Sequence, residues 1–498
     1  MHFAALTVDP AFRVGEVDPR LYGSFVEHLG RCVYDGIHEP GHAEADEHGF
    51  RRDVAALTRE LGVPIVRYPG GNFVSGYHWE DGIGPVAERP TRIDLAWRSI
   101  EPNHVGVDEF QRWAGSVGAE SMMAVNLGTR GIDAARNLVE YCNHPSGTYW
   151  SDRRRANGAA EPHGIKVWCL GNEMDGPWQI GHKTALEYGR LAAEAGKAMR
   201  LVDPSIELVA CGSSGRGMPT FGSWEATVLG ETYDVADYVS LHAYYQERDG
   251  DRGSFLASAV DMDAFIEAVI ATADHVRAAG RHRKRINLSF DEWNVWYQSD
   301  FAGEENLPIQ RTPRLIEDVY SVTDAVVVGN LLISLLKHAD RVRIGCQAQL
   351  VNVIGLIMTE PGGPAWRQSS YHPFALTSRH GRGTVLRTEP TGPTYETAVH
   401  GEVPVLDAVA VHGDEGVVLF AVNRDQEREL TLDVDARSLP ELAVAEHVTL
   451  ADDDPDAVNT AAAPDRVAPR RLDPPKVDGG RVQAVLPPLS WNMIRLTR

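Results

Sequence analysis

Two pairs of polar residues follow short apolar segments, at points where a buried strand would reach solvent. The segment KVWCL, residues 166–170, runs through Gly171 into Asn172 and Glu173, and INLSF runs directly into Asp291 and Glu292. A carboxylate that faces open water needs no such apolar frame. Two carboxylates at the mouth of a packed fold are the pair that glycoside hydrolysis requires, one as acid and one as nucleophile or base.

Polar side chains collect at six of eight candidate strand ends. The six sets are Glu27-His28, Arg67 with Gly70-Gly71-Asn72, Asn172-Glu173, His242 with Tyr244, Asp291 to Asn294 with Trp296, and Gln347 with Gln349. A single acid in such a place is usually a helix N-terminal residue, and a single arginine usually pairs with a surface acid. The complete set, with tryptophans among it, favours a binding site for a sugar.

The elements that must position these residues alternate along the first three quarters of the chain. Helical spacing separates most of the β-like runs, and this alternation predicts a (β/α)8 barrel with its site at the C-terminal ends of the strands. Periodicity alone leaves an open doubly wound sheet possible, but no G-x-G-x-x-G or P-loop motif supports a nucleotide fold. The eight predicted strands are 21–29, 63–72, 121–129, 165–173, 206–214, 238–245, 286–294 and 342–352.

Two helices illustrate how the pattern is interpreted. The segment TALEYGRLAAEAGKAMRLVD repeats Leu186, Ala193 and Lys197 at helical spacing, which predicts one weakly apolar face. The longest apolar run, residues 325–336, is too short to span a bilayer and is predicted to be a buried helix.

The sequence changes character after about residue 385, where strand-like runs and turn residues replace helices. This pattern predicts an antiparallel β-sandwich. Residues 451–475, rich in Asp, Ala and Pro, are expected to form a long irregular loop. The first strand-like run has no parallel partner nearby, so we assign residues 1–17 and 385–498 to the sandwich and residues 18–384 to the catalytic barrel.

Composition narrows the function. The chain has 498 residues and a net charge of -22, which disfavours nucleic acid as a partner. Its N-terminus lacks the pattern of a secretory signal, so we expect a cytoplasmic protein without a membrane partner. The five cysteines have no CxxC pair and are expected to be buried, reduced thiols, giving neither a disulfide framework nor a zinc site.

Five longer motifs resemble glycoside hydrolase family 51, the α-L-arabinofuranosidases of clan A. These motifs are collinear over most of the predicted barrel: RYPGGNFVSGYHWEDGIGP (67–85), WRSIEPN (97–103), WCLGNEMDGPWQIGH (168–182), DEWNVWY (291–297) and AQLVNVIGLIMTEPGGPAWRQ (348–368). The resemblance implies a retaining exo-acting α-L-arabinofuranosidase that removes terminal arabinofuranosyl residues from arabino-oligosaccharides or arabinoxylan fragments. It also implies a hexamer.

The resemblance further implies a role for each site residue. Glu292 would be the nucleophile and Glu173 the general acid/base, with no metal and no cofactor. For His242 we expect either a neutral ring that bonds to neighbouring protein groups or direct contact with the sugar. The expected substrate-binding residues are Glu27, Arg67, Asn72, Trp97, Asn172, His242, Tyr244, Trp296 and Gln349.

Other functions stay open at this point. A β-D-galactofuranosidase would need nearly the same residues around the ring, and a clan A endo-glucanase or xylanase would need a long open cleft. A silent carbohydrate-binding protein would be expected to have lost Glu173 or Glu292, and both are present. A metal-dependent hydrolase would need several ligands at strand ends, where the only histidines are His28 and His242.

Overall fold

The computed structural model describes residues 2–497. The strands in chain order are β1 His2–Thr7, β2 Arg13–Glu16, β3 Gly23–Phe25, β4 Ile65–Tyr68, β5 Arg92–Ile93, β6 Ile100–Glu101, β7 Glu120–Ala124, β8 Val167–Leu170, β9 Glu207–Ala210, β10 Tyr238–Tyr245, β11 Asn287–Val295, β12 Val342–Gln347, β13 Ile357–Thr359, β14 Ala365–Arg367, β15 Thr384–Leu386, β16 Thr394–Thr397, β17 Gly401–Pro404, β18 Leu406–Gly413, β19 Gly416–Asn423, β20 Leu430–Asp435, β21 Ala443–Leu450, β22 Arg470–Arg471, β23 Lys476–Asp478, β24 Arg481–Leu486 and β25 Ser490–Thr497. The α-helices are α1 Arg52–Leu61, α2 Val107–Val117, α3 Ile132–Asn143, α4 Tyr149–Ala156, α5 Ala185–Val202, α6 Ser223–Thr232, α7 Arg252–Leu256, α8 Ser258–Gly280, α9 Val322–Lys337 and α10 Tyr371–His380.

Eight parallel strands close into a barrel in the order β3, β4, β7, β8, β9, β10, β11, β12. All eight predicted strands are confirmed, and at least one helix follows each of them. Strand β8 illustrates why short apolar runs predict these strands. All four of its residues are buried, as expected for a parallel strand that is covered on both faces. The barrel therefore presents its carboxyl ends, and the polar residues that follow them, to a common rim.

Helix α5 is present, but the predicted face is wrong. Leu186 is 51% exposed and Lys197 is exposed, whereas Tyr188, Ala192 and Met199 are fully buried. Small residues dominate the true face because the helix packs closely against its neighbours, and the side chain of Tyr188 reaches the carbonyl of Leu170 at 2.8 Å. Apolar size alone therefore misassigned this helix. The apolar helix predicted at 325–336 is confirmed as the buried α9.

The C-terminal part is a two-layer sandwich that also contains the first two strands. One sheet has the order β1, β20, β24, β23, and the other β2, β15, β18, β19, β25, β21, β22. Strand β1 lies in the sandwich as expected, but it pairs parallel to β20, so the expectation of a purely antiparallel sandwich is corrected. The loop expected at 451–475 contains one short strand, β22. The boundaries at 17/18 and 384/385 stay a prediction.

Helix α9 joins the barrel to the sandwich. A Cβ atom at Gly329 would lie 2.3 Å from the ring of Trp491, so only glycine lets this helix and strand β25 approach so closely. Beside this contact, Asp407 Oδ2 accepts hydrogen bonds from Asn330 at 2.8 Å and Arg424 at 2.9 Å. Tight packing and a buried polar network together fix the sandwich against the barrel.

The five cysteines are buried and free, which confirms the expectation of reduced thiols. Among residues 2–497, no helix has the length and apolar character needed to cross a bilayer.

Candidate active site

A pocket with a volume of about 380 Å³ opens at the C-terminal end of the barrel. This volume lies at the small end of the range of roughly 300–1,000 Å³ that is typical of ligand pockets. Most of the residues predicted for the site meet here. The predicted residues that line the pocket are Glu27, Asn72, Trp97, Glu173, Tyr244, Glu292, Trp296 and Gln349.

Glu292 is held by two strong hydrogen bonds. It lies in strand β11 and is almost completely buried. Arg67 donates from Nη1 to Glu292 Oε1 at 2.6 Å, and the Tyr244 hydroxyl donates to Oε2 at 2.7 Å. A guanidinium and a phenol that donate to the two oxygens stabilise the ionised carboxylate and fix its orientation. This is the state that a nucleophile needs.

Glu173 lies three residues beyond β8, with a positive φ of 44° that is uncommon for a residue other than glycine. Trp178 donates from Nε1 to Oε2 at 2.8 Å, and His242 Nδ1 lies 2.9 Å from Oε1. Burial raises the pKa of Glu173 above its ordinary value, and the negative charge of Glu292 adds to the rise, against these two hydrogen bonds. A carboxyl group with a raised pKa can hold a proton that it later donates.

The two carboxyl groups are close together. Glu173, His242 and Glu292 each bring an oxygen or nitrogen atom within 4.8 Å of the others. Two carboxyl groups this near suit a retaining glycosidase, in which they lie roughly 5–5.5 Å apart, whereas an inverting enzyme needs room for a water between them. The same three residues could in principle hold a metal ion, but both nitrogens of His242 already lie against carboxylates.

His242 lies among three acids. Its Nε2 lies 3.0 Å from Asp291 Oδ1, and its Nδ1 lies against Glu173 and, at 3.6 Å, against Glu292 Oε2. Burial opposes a charge on this ring, but Glu292, Asp291 and Glu173 outweigh it and raise the pKa of His242 to about 10. The three acids therefore favour a protonated ring, and the role of His242 towards the sugar stays a prediction.

Glu27 follows strand β3 and accepts three N–H groups. These come from the backbone of Phe73 at 2.9 Å, Trp97 Nε1 at 2.9 Å and Gln349 Nε2 at 3.1 Å. A Cβ atom at Gly71 would lie 2.4 Å from Glu27 Oε2, so glycine is required for the close approach of this loop. Burial, assisted by the charge of Glu292, raises the pKa of Glu27 to about 8.

Asn172 connects Arg67 to Asn72 by two hydrogen bonds. Its Oδ1 accepts from Arg67 Nη2 at 2.6 Å, and its Nδ2 donates to Asn72 Oδ1 at 3.2 Å. Arg67 thus binds both Glu292 and Asn172, and lies beneath the pocket rather than in its wall. Tyr244 and Trp296 form an edge-to-face pair with ring centroids 5.1 Å apart on the outer side.

Comparison with known proteins agrees with this geometry. Residues 57–263 match the model of the alpha-L-arabinofuranosidase 1 domain, and residues 291–490 match that of the alpha-L-arabinofuranosidase C-terminal domain. The chain is 58% identical over 495 residues to an intracellular exo-alpha-(1->5)-L-arabinofuranosidase of Halalkalibacterium halodurans, covering 99% of both chains. The chain belongs to the α-L-arabinofuranosidases of glycoside hydrolase family 51.

Two further relatives of this family 51 chain come from Bifidobacterium longum. One is an exo-alpha-(1->6)-L-arabinofuranosidase, 53% identical, with 99% of this chain and 97% of the relative covered. The other is a solved structure of a family 51 alpha-L-arabinofuranosidase, 49% identical, with a TM-score of 0.96 and complete coverage of both chains. The barrel, the sandwich and their arrangement are therefore those of the family.

Three residues of the family 51 site escaped the sequence analysis as site residues: Trp178, Asp291 and Phe73. Trp178 follows Glu173 by five residues in the motif WCLGNEMDGPWQIGH, so its indole N–H could have been predicted to lie near the acid. Phe73 acts through its backbone N–H, for which the side chain gives no signal. Asp291 was noted at a strand end but given no role.

Two further residues at strand ends, His28 and Gln347, lie outside the pocket. His28 is buried between Glu101 Oε2 at 2.8 Å and the Tyr68 hydroxyl at 2.7 Å. Gln347 Nε2 donates to the carbonyl of Ala348 at 3.0 Å, within the barrel wall. Neither lines the family 51 pocket.

Proposed function

We propose that this protein is a retaining exo-acting α-L-arabinofuranosidase in which Glu292 is the nucleophile and Glu173 the general acid/base. The observation that carries the proposal is the pair itself: two carboxyl groups with atoms within 4.8 Å, in opposite electrostatic settings, at the wall of one small pocket. Glu292 is held as an anion by Arg67 and Tyr244, whereas burial favours the protonated form of Glu173.

In the first step Glu292 attacks the anomeric carbon while Glu173 transfers its proton to the glycosidic oxygen. The bond between that carbon and the leaving group breaks, and a covalent glycosyl-enzyme forms. Because esterification removes the negative charge of Glu292, one of the groups that raise the pKa of Glu173 is lost. Glu173 can then remain ionised and take up a proton from water.

In the second step that water attacks the anomeric carbon and releases Glu292, with the original configuration restored. Asn172 is proposed to bond the 2-hydroxyl, a contact that strengthens as positive charge develops on the ring. Glu27, Asn72 and Gln349 are proposed to hold the remaining hydroxyls. Their mutual hydrogen bonds favour a rigid site that fits one furanose ring.

The pocket favours exo action. Trp97, Trp296 and Phe301 lie near one another on its outer side, with ring centroids 6.3 and 6.2 Å from Phe301 to the two tryptophans. A pocket of about 380 Å³ suits one terminal sugar and its leaving group, whereas an endo-glycanase needs a long cleft. The substrate proposed is a terminal arabinofuranosyl group of an arabino-oligosaccharide or arabinoxylan fragment.

The linkage is a separate matter. Relatives at 58% and 53% identity are named for (1->5) and (1->6) linkages, so overall similarity does not choose between them. A β-D-galactofuranosidase remains the alternative for the ring itself, since its substrate presents similar stereochemistry.

The wild-type protein should hydrolyse nitrophenyl α-L-arabinofuranoside at least about a thousandfold better in kcat/KM than nitrophenyl β-D-xyloside, roughly 4 kcal/mol in transition-state binding. The reason is that Glu27 is bonded to Gln349 and Asn72 to Asn172, so these four residues cannot shift together to suit a six-membered ring. A site built for particular hydroxyls loses much binding when these are misplaced. Steady-state kinetics on both glycosides measure the ratio.

The β-D-galactofuranoside serves as the comparison substrate in the same assay, and Glu27→Ala as the variant. Glu27→Ala should lower turnover of the arabinofuranoside and narrow the gap to the xyloside. Equal efficiency of the wild type on xyloside and arabinofuranoside would exclude a furanosidase, and a preference for galactofuranoside would select the alternative.

The indole N–H of Trp178 should affect the pH dependence. Glu173 must be protonated in the free enzyme, so kcat/KM falls as pH rises through the pKa of Glu173. The hydrogen bond from Trp178 favours the ionised form and lowers this pKa. Trp178→Phe keeps an aromatic ring but removes the donor, so the alkaline limb of the kcat/KM profile should move to higher pH.

A second variant displaces the Trp178 ring through the loop backbone. A Cβ atom at Gly176 would lie 2.5 Å from the indole of Trp178, and Gly176→Ala should displace the ring without removing it. The alkaline limb should move in the same direction in both variants. An unchanged limb in Trp178→Phe, measured with the same substrate, would contradict a role for this hydrogen bond.

Location and assembly complete the proposal. We propose that the enzyme acts inside the cell on imported oligosaccharides, as the names of relatives from Halalkalibacterium halodurans and Bifidobacterium longum indicate for those proteins. The hexamer implied by the family resemblance stays a prediction, which light scattering on the purified protein would test.

A further inference from the structure

Asp291 is a buried acid to which the proposed mechanism gives no role. Its Oδ1 lies 3.0 Å from His242 Nε2, and its Oδ2 lies 3.8 Å from Arg67 Nε and 3.9 Å from Cys169 Sγ. Asp291 is 1% exposed, so water offers it no compensation. A buried carboxylate needs a charged or hydrogen-bonded partner, and the near ones are His242 and Arg67.

A bulge in strand β11 explains why Asp291 and Glu292 serve the same site although they are consecutive. The register runs from Ser240 opposite Ser289 to His242 opposite Glu292, so β11 has one more residue than β10 over this interval. Regular alternation would direct neighbouring side chains to opposite faces. The extra residue breaks the alternation and brings both carboxylates against His242.

The hydrogen-bond pattern fixes the protons of His242. An ionised carboxylate only accepts, so Nε2 must carry a proton towards Asp291. A neutral ring would then direct the lone pair of Nδ1 towards Glu173 Oε1 and towards Glu292 Oε2, which lies 3.6 Å away. A protonated ring instead donates to Glu173 and attracts Glu292. The charged ring therefore satisfies all three acids.

We propose that Asp291 is a positioning residue that keeps His242 protonated in the resting enzyme and thereby confines the acid proton of Glu173 to Oε2. The proposal rests on the assignment of Glu173 as the general acid. A charged donor at Oε1 disfavours a proton on that oxygen more strongly than the neutral indole N–H of Trp178 does at Oε2, so the proton to be transferred resides on Oε2. Oε2 is the oxygen that Trp178 contacts in the wall of the pocket.

The proton balance follows. In the first step the proton on Glu173 Oε2 passes to the glycosidic oxygen as the bond to the leaving group breaks and Glu292 forms its ester. In the second step a proton from the attacking water returns to Oε2 as Glu292 leaves. His242 donates hydrogen bonds in both steps and transfers no proton.

The charges of the cluster agree with this assignment. In the resting enzyme Arg67 and His242 carry two positive charges, which Asp291 and Glu292 balance. Burial raises the pKa of Glu173 and raises that of Glu27 to about 8, so both acids tend towards their neutral forms. The other titratable groups that face the cluster are Tyr244, which donates to Glu292, Cys169, beside Asp291, and Asp175, whose pKa is raised by burial and moderated by His242.

The first test examines the wild-type ring directly. With ¹⁵N-labelled histidine and the His242 signals assigned by comparison with His242→Gln, both ring nitrogens should show imidazolium shifts from about pH 5.5 to 8.5, where an ordinary histidine titrates. A neutral His242 at pH 7 would overturn the proposal. This measurement requires no turnover, so it is independent of the proposed function.

The second test uses Asp291→Asn. Without the counter-charge the ring should become neutral, with Nε2–H directed to Asn and Nδ1 accepting a hydrogen bond from a protonated Glu173 Oε1. Turnover of an arabino-oligosaccharide, which needs the acid, should fall by about 10²–10³-fold, but turnover of a dinitrophenyl arabinofuranoside by less than about 10-fold. Equal losses on both substrates would contradict a role in placing the proton.

Two further variants separate charge from packing. Asp291→Glu retains the charge and should retain the imidazolium signals of His242. Cys169→Ser alters the other neighbour of Asp291 Oδ2 without changing a charge, and should leave the ratio of the two substrates unchanged. If Asp291→Asn fails to fold, Asp291→Glu and the wild-type spectrum decide. A wild type with an imidazolium His242 but no arabinofuranosidase activity would refute the proposed function alone.

Discussion

Replacing Glu292 by glutamine is expected to lower kcat on every arabinofuranoside by at least about 10⁴-fold, because the amide cannot form the glycosyl-enzyme. Both substrate classes should be affected alike, since both must form the glycosyl-enzyme on Glu292. Rates measured on an aryl arabinofuranoside and on an arabino-oligosaccharide give the two ratios.

The fold should survive this change. Glutamine keeps an oxygen for Arg67 Nη1, and the Tyr244 hydroxyl can rotate to accept from the new amide. Circular dichroism and thermal unfolding of Glu292→Gln beside the wild type provide the control. A folded variant that retains more than a few per cent of wild-type activity would remove Glu292 from the role of nucleophile.

Glu173→Ala should lower the rates of different substrates to different extents, according to their leaving groups. An activated aryl group departs with little protonation, so its first step survives and the glycosyl-enzyme accumulates because no base activates water. Oligosaccharides, whose leaving groups need a proton, should lose about 10²–10⁴-fold in kcat/KM. Rapid-mixing experiments should therefore record a burst of aryl alcohol followed by slow turnover.

Azide provides the diagnostic control for Glu173→Ala. As a small anion it needs no base and should attack the glycosyl-enzyme, raising the steady rate on the aryl substrate and giving an arabinosyl azide of retained configuration. Azide should have no such effect on the wild type, where water is already activated. No azide adduct together with equal losses on both substrate classes would make the assignment of Glu173 wrong.

The barrel and the identity of the acids could be predicted from sequence because both depend on local patterns. Fully buried strands appear as short apolar runs, and a barrel presents the polar residues after these runs on one rim. Glu173 and Glu292 could be recognised in this way. Much of the pocket lining could also be predicted, since eight of the predicted site residues line the pocket.

Features that depend on register or on distant packing could not be predicted. The bulge in β11 turns Asp291 towards His242, and nothing in the residues 287–295 reveals an additional residue in that strand. The protonation of His242 depends on three acids from two other strand ends, so a single sequence position cannot give it. The burial of α5 depends on how closely small residues let neighbouring helices approach, which apolar spacing does not measure.

The pairing of β1 with β20 has a consequence for biosynthesis. His2–Thr7 aligns with Leu430–Asp435, and His2 Nε2 lies 2.7 Å from Asp425 Oδ2, so a segment that precedes the barrel in the chain is fixed by one that follows it. The barrel strands are complete at Gln347, well before this partner leaves the ribosome. Because contacts so distant in sequence form slowly, the nascent chain carries an unpaired N-terminal strand while its barrel folds.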